Sequence, residues 1–519
     1  MPASHSDLPL AFDYIVVGGG AAGCVLARRL AEDGAATVLL VEAGPSDDLP
    51  AIDAAGAWTS LLEGPHDWGY GYASGPNING RAIPIPRGRV LGGSSSINAM
   101  LWYRGHPSDY AAWEAAGAEG WGWEAMLPYF CRSEDWQGGA SRWRGVGGPM
   151  RIEQPCDPHP IATALLAGAA DLGLPVIEDY NGPDPEGAAL GQFNCHGDQR
   201  WSASRGYLRP AASWPNLTVL TGSFALDLMF AGARCVGLRH LVHGVPTRTQ
   251  ADREVILALG AFGTPHLLTR SGLADAGDLH RLGIPVRAAL PGVGANLQDH
   301  PLLMGLNFRA QGPLGPVRGN GGGAILNWRS RAGLPAPDLH AFVVQGAHAT
   351  PGVAAAHDVT GDVFAISPGL MRSKSTGFLR VDEPGPHGHL TIQPNFLAEP
   401  DDLAALMAGI DTIMDLAETP AFRALATGPA APGHRLTSRE KADFVRLSCS
   451  TFYHPCGTCT MGRGDMAVVD PQLRVRGIEA LRVADAAVFP IIPSANTQAS
   501  VIALAERAAN LILGRESPL

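Results

Sequence analysis

Residues 13–42 run strand, glycine turn, helix, strand and acid, and that order commits the start of the chain to a βαβ unit. Asp13-Tyr14-Ile15-Val16-Val17 is a short β-branched run that enters Gly18-Gly19-Gly20-Ala21-Ala22-Gly23, a G-x-G-x-x-G turn. Cys24, Val25, Ala27, Leu30 and Ala31 follow at the spacing of one helix face. Thr37-Val38-Leu39-Leu40-Val41 is a second apolar strand, closed by Glu42 and Ala43. Gly18 serves the tight turn, Gly20 leaves room for a pyrophosphate against backbone, and Gly23 lets helix and strand pack closely. The free N–H groups of the helix start, including that of Ala22, favour phosphate. Glu42 is placed to accept hydrogen bonds from both ribose hydroxyls of an adenosine. FAD and NAD fit this unit equally, so the rest of the chain must choose between them.

With 519 residues, the length suits two to four domains. Hydrophobic residues at 46% and charged residues at 17% describe a globular protein with large cores. A net charge of -11 argues against nucleic acid or an anionic membrane as a partner. No run of about eighteen apolar residues is present, so no membrane span is expected. Met1–Leu10 lacks the basic start and apolar centre of a signal peptide. Eight scattered cysteines suit a reducing cytoplasm. Cys456-Gly457-Thr458-Cys459 has no second pair to complete a zinc site, so no metal is expected.

Along the chain, α/β character is interrupted and returns. Six tryptophans between 102 and 143 predict an irregular, aromatic-packed cap. Strands are expected at 217–220, 224–230, 254–260, 339–344, 390–394 and 481–484, and helices at 161–172, 266–271, 401–418 and 500–513. The pattern predicts an α/β fold. A Rossmann-like cofactor domain at 11–155, 216–310 and 464–519 encloses an inserted α+β substrate domain with an antiparallel sheet, at 156–215 and 311–463. A discontinuous arrangement sets the domain interface over the cofactor.

Four further segments carry chemistry. They are Arg87-Gly88-Arg89-Val90-Leu91-Gly92-Gly93-Ser94-Ser95-Ser96-Ile97-Asn98-Ala99-Met100, Gly260-Ala261-Phe262-Gly263-Thr264-Pro265-His266-Leu267-Leu268, and Pro291-Gly292-Val293-Gly294-Ala295-Asn296-Leu297-Gln298-Asp299-His300. The last joins Tyr453-His454-Pro455-Cys456-Gly457-Thr458-Cys459-Thr460-Met461-Gly462 to Val483-Ala484-Asp485-Ala486 and Pro493-Ser494-Ala495-Asn496-Thr497-Gln498. In this order and spacing, from about residue 11 to 514, they resemble the glucose–methanol–choline oxidoreductases, and within them the bacterial choline-dehydrogenase-like branch. The resemblance implies FAD. Gly18, Gly20, Gly23 and Glu42 would hold its adenosine diphosphate, Val90, Gly93 and Asn98 would lie beside the ring, and Phe224 and Ala225 would meet adenine through backbone. Asp485 and Ala486 would lie at the ribityl–pyrophosphate region and Gln498 at the pyrimidine side. Some members attach FAD through a histidine just before the signature asparagine; Ile97 stands there and cannot form the bond, so the flavin is expected to be non-covalent.

The expected reaction is oxidation of a primary alcohol to its aldehyde, with oxygen or an electron carrier as acceptor. The hydroxyl proton must leave as hydride moves to flavin, so a base and a hydrogen-bond donor must converge on one oxygen. By the resemblance, His454 is the base and Asn496 the donor. An imidazole near its ordinary pKa accepts a proton at neutral pH. His300 competes for the base role and otherwise reads as a buried histidine ordering a loop near the flavin. Trp58, ten residues before Trp68, matches a cage tryptophan that could face a quaternary ammonium. The matching cage acid is missing near Gly319-Asn320-Gly321, so an uncharged or aromatic alcohol, walled by Trp58, Phe452 and Tyr453, competes with choline. Two alternatives stand beside oxidation. One is a flavin-containing lyase that cleaves cyanohydrins, and the other a nicotinamide dehydrogenase suggested by the first motif alone.

Overall fold

The computed structural model describes residues 9–515; residues 1–8, which carry most of the stretch read as lacking a signal peptide, lie outside it. The β-branched run predicted at the start forms the strand Ala11–Val17, whose Ile15, Val16 and Val17 are fully buried. It lies between Val38–Val41 and Val245–Leu257, parallel to both, and Leu217–Leu220 extends the parallel sheet. Leu481–Val483 also joins Val245–Leu257 in parallel. Apolar runs buried on both faces are what a parallel sheet covered by helices demands. The antiparallel strands Ser223–Ala231 and Arg234–Val242 complete its other edge.

The helix Ala21–Ala31 lies on the strands Ala11–Val17 and Val38–Val41. Ala21–Ala31 packs against Thr497–Leu513, which buries Val501, Ile502, Leu504, Ala505 and Ala508. Burying one such leucine is worth roughly 1.5–3 kcal/mol, so this contact fixes where residue 497 stands. The longer helix stops at Gly514, whose φ of +66° is the left-handed conformation glycine adopts without strain. Trp102, Trp113, Trp121, Trp123 and Trp136 are all buried in the core of this same layer. They pack on the cofactor fold itself, more deeply than a surface cap.

The second sheet has eight strands, all antiparallel, in the order Ala426–Ala431, Asn307–Ala310, Val363–Leu370, Leu339–Val344, Ala324–Trp328 and Gly187–Leu190. Pro301–Leu303 bridges Val363–Leu370 to Cys449–Thr451. The strands at 301–310 therefore pair with this sheet, whereas the sequence reading grouped them with the cofactor segments. Leu302, Leu303 and Phe308 are as apolar as a cofactor strand, and only their partners distinguish the two. The helix Pro400–Ala417 lays Leu406, Ile410, Ile413 and Met414 into this second core. The expected antiparallel substrate sheet is thus present. Among the described residues no helix is long and apolar enough to cross a membrane.

Candidate active site

One cavity of about 790 Å³ runs from the glycine turn, between the two sheets, to the second sheet. At its first end the glycines are not interchangeable. A Cβ on Gly23 would lie 1.8 Å from the Gly18 carbonyl oxygen, and Gly18 itself has φ +105° with the Ala258 carbonyl close by. Gly20, by contrast, has nothing closer than 3.9 Å, so the space over it opens to the cavity. Gly93 comes so near that its Cβ would meet the Gly20 Cα at 2.8 Å. Two glycine segments thus press together and leave one open cradle beside the start of the helix Ala21–Ala31.

Glu42 is buried at this end and accepts the Gly19 N–H (2.8 Å) and the Gly44 N–H (2.7 Å). Burial, opposed by those two amides, raises its pKa to about 7. Each oxygen keeps acceptor capacity for a ribose hydroxyl. Ala22, Ala43, Phe224, Ala225 and Ala486 line the same stretch. Asp485 lines it too, but its carboxylate holds structure: it accepts the Gly260 and Ala487 N–H groups and the Thr264 hydroxyl. That contact explains why the second helix begins at Gly260, not at His266 as the sequence suggested. Pro265 is the sixth residue of that helix and cannot bond the Ala261 carbonyl, which instead accepts the Thr458 hydroxyl (2.6 Å).

Nearer the second sheet, Asn98 Nδ2 donates to Gln498 Oε1, joining two positions 400 residues apart. Gln498 Nε2 and Asn496 Oδ1 are buried without a partner, as expected of groups facing a bound polar ring. Val90 does not line the cavity. Its side chain packs with Ile52, Leu61 and Ile97, because an apolar residue there finds apolar neighbours. Ile97 is likewise buried.

His454 and Asn496 meet: Asn496 Nδ2 lies 3.2 Å from His454 Nε2. Asn496 stands immediately before the helix Thr497–Leu513 but makes no capping bond with its side chain, so the amide is free for the cavity. His454 is held from behind. Its Nδ1 lies 2.9 Å from Nδ1 of His300, and Phe452 stacks on its ring at 5.0 Å. Asp299 fixes the backbone, accepting the N–H groups of His300 (2.8 Å) and His454 (2.9 Å) and the hydroxyls of Tyr72 and Thr451. Tyr453 has φ +66°, a strained conformation for a tyrosine. Thr451 Oγ1 accepts its N–H and Arg87 donates to its carbonyl, which holds the bend that turns His454 inward.

Burial, then the neighbouring His300 and Arg87, push the His454 pKa well below the ordinary histidine value. This corrects the expectation of a near-ordinary imidazole: neutrality comes from exclusion of water. His300 is held to about 3, again chiefly by burial. The Asp299-His300 pair was visible in sequence, but nothing there showed that it backs His454. Leu302, Phe342 and His348 also line the cavity and carried no sequence signal. Trp58 lines it as well and donates from its indole to the Asn320 carbonyl (2.8 Å). The glycine-rich loop 319–323 thus backs the tryptophan with a peptide oxygen and brings no acid. Among the described residues no three His, Cys, Asp or Glu side chains form a metal site.

Two family descriptions, both GMC oxidoreductase, match residues 12–302 and 373–505. The chain belongs to the GMC oxidoreductases. It is 37% identical to human mitochondrial choline dehydrogenase over 97% of this chain and 90% of that one. It is also 37% identical to the oxygen-dependent choline dehydrogenase of Rhizobium etli, over 97% and 96% of the two chains. Pyridoxine 4-oxidase from Mesorbium loti superposes with a TM-score of 0.92 at 32% identity, covering 96% of this chain and 98% of its own. This GMC oxidoreductase is an FAD-dependent enzyme that oxidises an alcohol. The lyase alternative finds no support among these relatives.

Proposed function

We propose that this oxidoreductase converts a primary alcohol to its aldehyde with His454 as base and Asn496 as hydrogen-bond donor. The observation that carries the assignment is the 3.2 Å approach of Asn496 Nδ2 to His454 Nε2 at the inner end of the cavity. An alcohol oxygen set between these atoms gives its proton to Nε2 and takes a hydrogen bond from the amide, which stabilises the developing alkoxide without a change of charge. The base role requires the His454 proton on Nδ1, 2.9 Å from His300 Nδ1, so that Nε2 is free to accept, and that contact keeps the ring oriented. Bound FAD supplies the acceptor for the hydride. Gly18, Gly20, Glu42 and the helix start would hold its diphosphate and ribose, and Gly93, Asn98 and Gln498 its ring. With Ile97 in place of a histidine, release of the flavin by acid precipitation is the expected sign of a non-covalent cofactor. All eight cysteines are free thiols, which supports a reducing compartment, the cytoplasm.

The deciding experiment is anaerobic. The purified protein should be yellow and should bleach when a primary alcohol is added. A yellow protein that no alcohol bleaches would overturn the reading, as would a colourless one that turns over only with nicotinamide. Following the same reaction in air, peroxide production against reduction of an artificial dye separates oxygen from an electron carrier as acceptor.

The two glycines separate cofactor binding from folding. Gly20→Ala should leave the apoprotein folded, since its Cβ meets nothing within 3.4 Å, yet lower the flavin content by filling the cradle. Gly23→Ala should lose both flavin and soluble yield, because the new Cβ collides with the Gly18 carbonyl. The flavin-to-protein ratio and the apoprotein melting temperature distinguish them. Equal behaviour of the two variants would refute the assignment of Gly20 to the cofactor.

A further inference from the structure

Beyond His454 and Asn496, the part of the cavity formed by the second sheet presents a further imidazole, that of His348. An aromatic wall links it to the base. Phe452 stacks on His454, Phe342 packs on Phe452 at 5.4 Å between ring centres, and His348 packs on Phe342 at 5.8 Å. Leu302, with Phe452 and Met371 in one apolar cluster, closes the floor. Among the described residues the carboxylates lining the cavity are Glu42 and Asp485, which lie toward the glycine turn and are engaged by backbone amides. Among the described residues no carboxylate stands on this wall, so a cationic substrate would have aromatic faces alone to balance it.

His348 is built in rather than merely present. Its N–H donates to Asn307 Oδ1 (2.9 Å), and Asn307 Nδ2 donates back to its carbonyl (3.0 Å). Its Nδ1 lies 2.6 Å from the hydroxyl of Ser367, a fully buried residue whose Oγ has no other partner among the described residues. A buried hydroxyl left without an acceptor is costly, so Ser367 donates to Nδ1, and the proton of the neutral ring resides on Nε2. Burial holds the pKa to about 4, so the ring is uncharged at neutral pH. His340 provides the contrast: it bonds Asn327 within the sheet and does not reach the cavity.

Resting on the assignment of His454 to the alcohol oxygen, we propose that His348 Nε2–H reads the far end of the substrate. The enzyme then takes an uncharged, elongated alcohol whose end remote from the hydroxymethyl group carries a hydrogen-bond acceptor such as a carbonyl, ether or ring nitrogen. The aromatic wall holds the body of the molecule, and the two imidazoles engage its two ends.

The test uses the holoenzyme and two alcohols of equal shape, 4-acetylbenzyl and 4-isopropylbenzyl alcohol, with flavin reduction followed anaerobically. The wild-type preference for the acetyl compound should exceed that of His348→Leu by about tenfold, the variant's own ratio correcting for electronic effects. His348→Gln, which can still donate, should keep part of the preference. Equal ratios in wild type and His348→Leu would overturn the proposal. So would faster reduction by choline than by either aryl alcohol. If His348→Leu fails to hold flavin, binding of unreactive 4-methylacetophenone and 4-isopropyltoluene to the wild type decides, read from the flavin spectrum. Equal affinities refute it and tighter binding of the ketone supports it. Failure of every alcohol to bleach the flavin refutes the alcohol-oxidation reading instead.

Discussion

Replacing His454 with alanine should slow flavin reduction by an alcohol about 10²–10⁴-fold while the protein stays yellow. The ring contacts Asn496, His300 and Phe452, none of which belongs to the glycine cradle, so flavin retention is expected. His454→Gln, which preserves bulk and a hydrogen-bonding end but cannot take up the proton, should be nearly as slow. Wild-type reduction should also lack an inflection near the ordinary histidine pKa. His454 is held well below that value by burial, so the base is neutral and ready at pH 8 and remains so as pH falls through 6.5. Stopped-flow reduction across that range measures both effects. A His454→Ala rate within tenfold of wild type would remove this residue from the base role.

Acid should destabilise the fold well before the carboxylates titrate. His300 and His340 are held to about 3, His266 and His348 to about 4, and His454 well below the ordinary value, all chiefly by burial. Each is neutral when folded and free to protonate near 6.5 when unfolded. The unfolded state therefore binds more protons below that pH, and stability is lost as pH falls. Glu42 works the other way, since its folded pKa of about 7 makes the folded state the stronger proton binder between 7 and 4.5. Asp299 and Asp485 are raised by burial in the same sense as Glu42, but the five buried histidines outnumber these carboxyls, so the net effect between pH 6 and 5 is a loss of stability. The melting temperature of the holoenzyme should hold steady from pH 8 to 7 and then drop steeply toward 5. A flat profile down to pH 5 would show that these histidines are not buried neutral.

What could be read from the chain alone follows from how locally each feature is encoded. The turn at 18–23, the strands on either side and Glu42 are contiguous, and a turn that admits only glycine is as plain in sequence as in three dimensions. The signature at 87–98 and the residues His454 and Asn496 were legible through their resemblance to a family pattern. Two readings shifted for want of tertiary partners. The strands at 301–310 have no composition that separates one sheet from the other, and the helix at 260 starts early because Asp485, 225 residues later, accepts its first N–H.

The glycine turn therefore determined that a dinucleotide binds, and the spaced motifs determined that it is FAD. Only the tertiary structure decided the surroundings of His454, the proposed base. Asp299, His300 and Tyr453 reach His454 through a bridging strand and a strained bend, and water exclusion by the assembled site sets its pKa. The far wall, with Phe342 and His348, was equally silent in sequence. A hydrogen bond or a stacked ring between residues 40 to 400 positions apart depends on strand register and sheet packing, and single-residue identities carry neither.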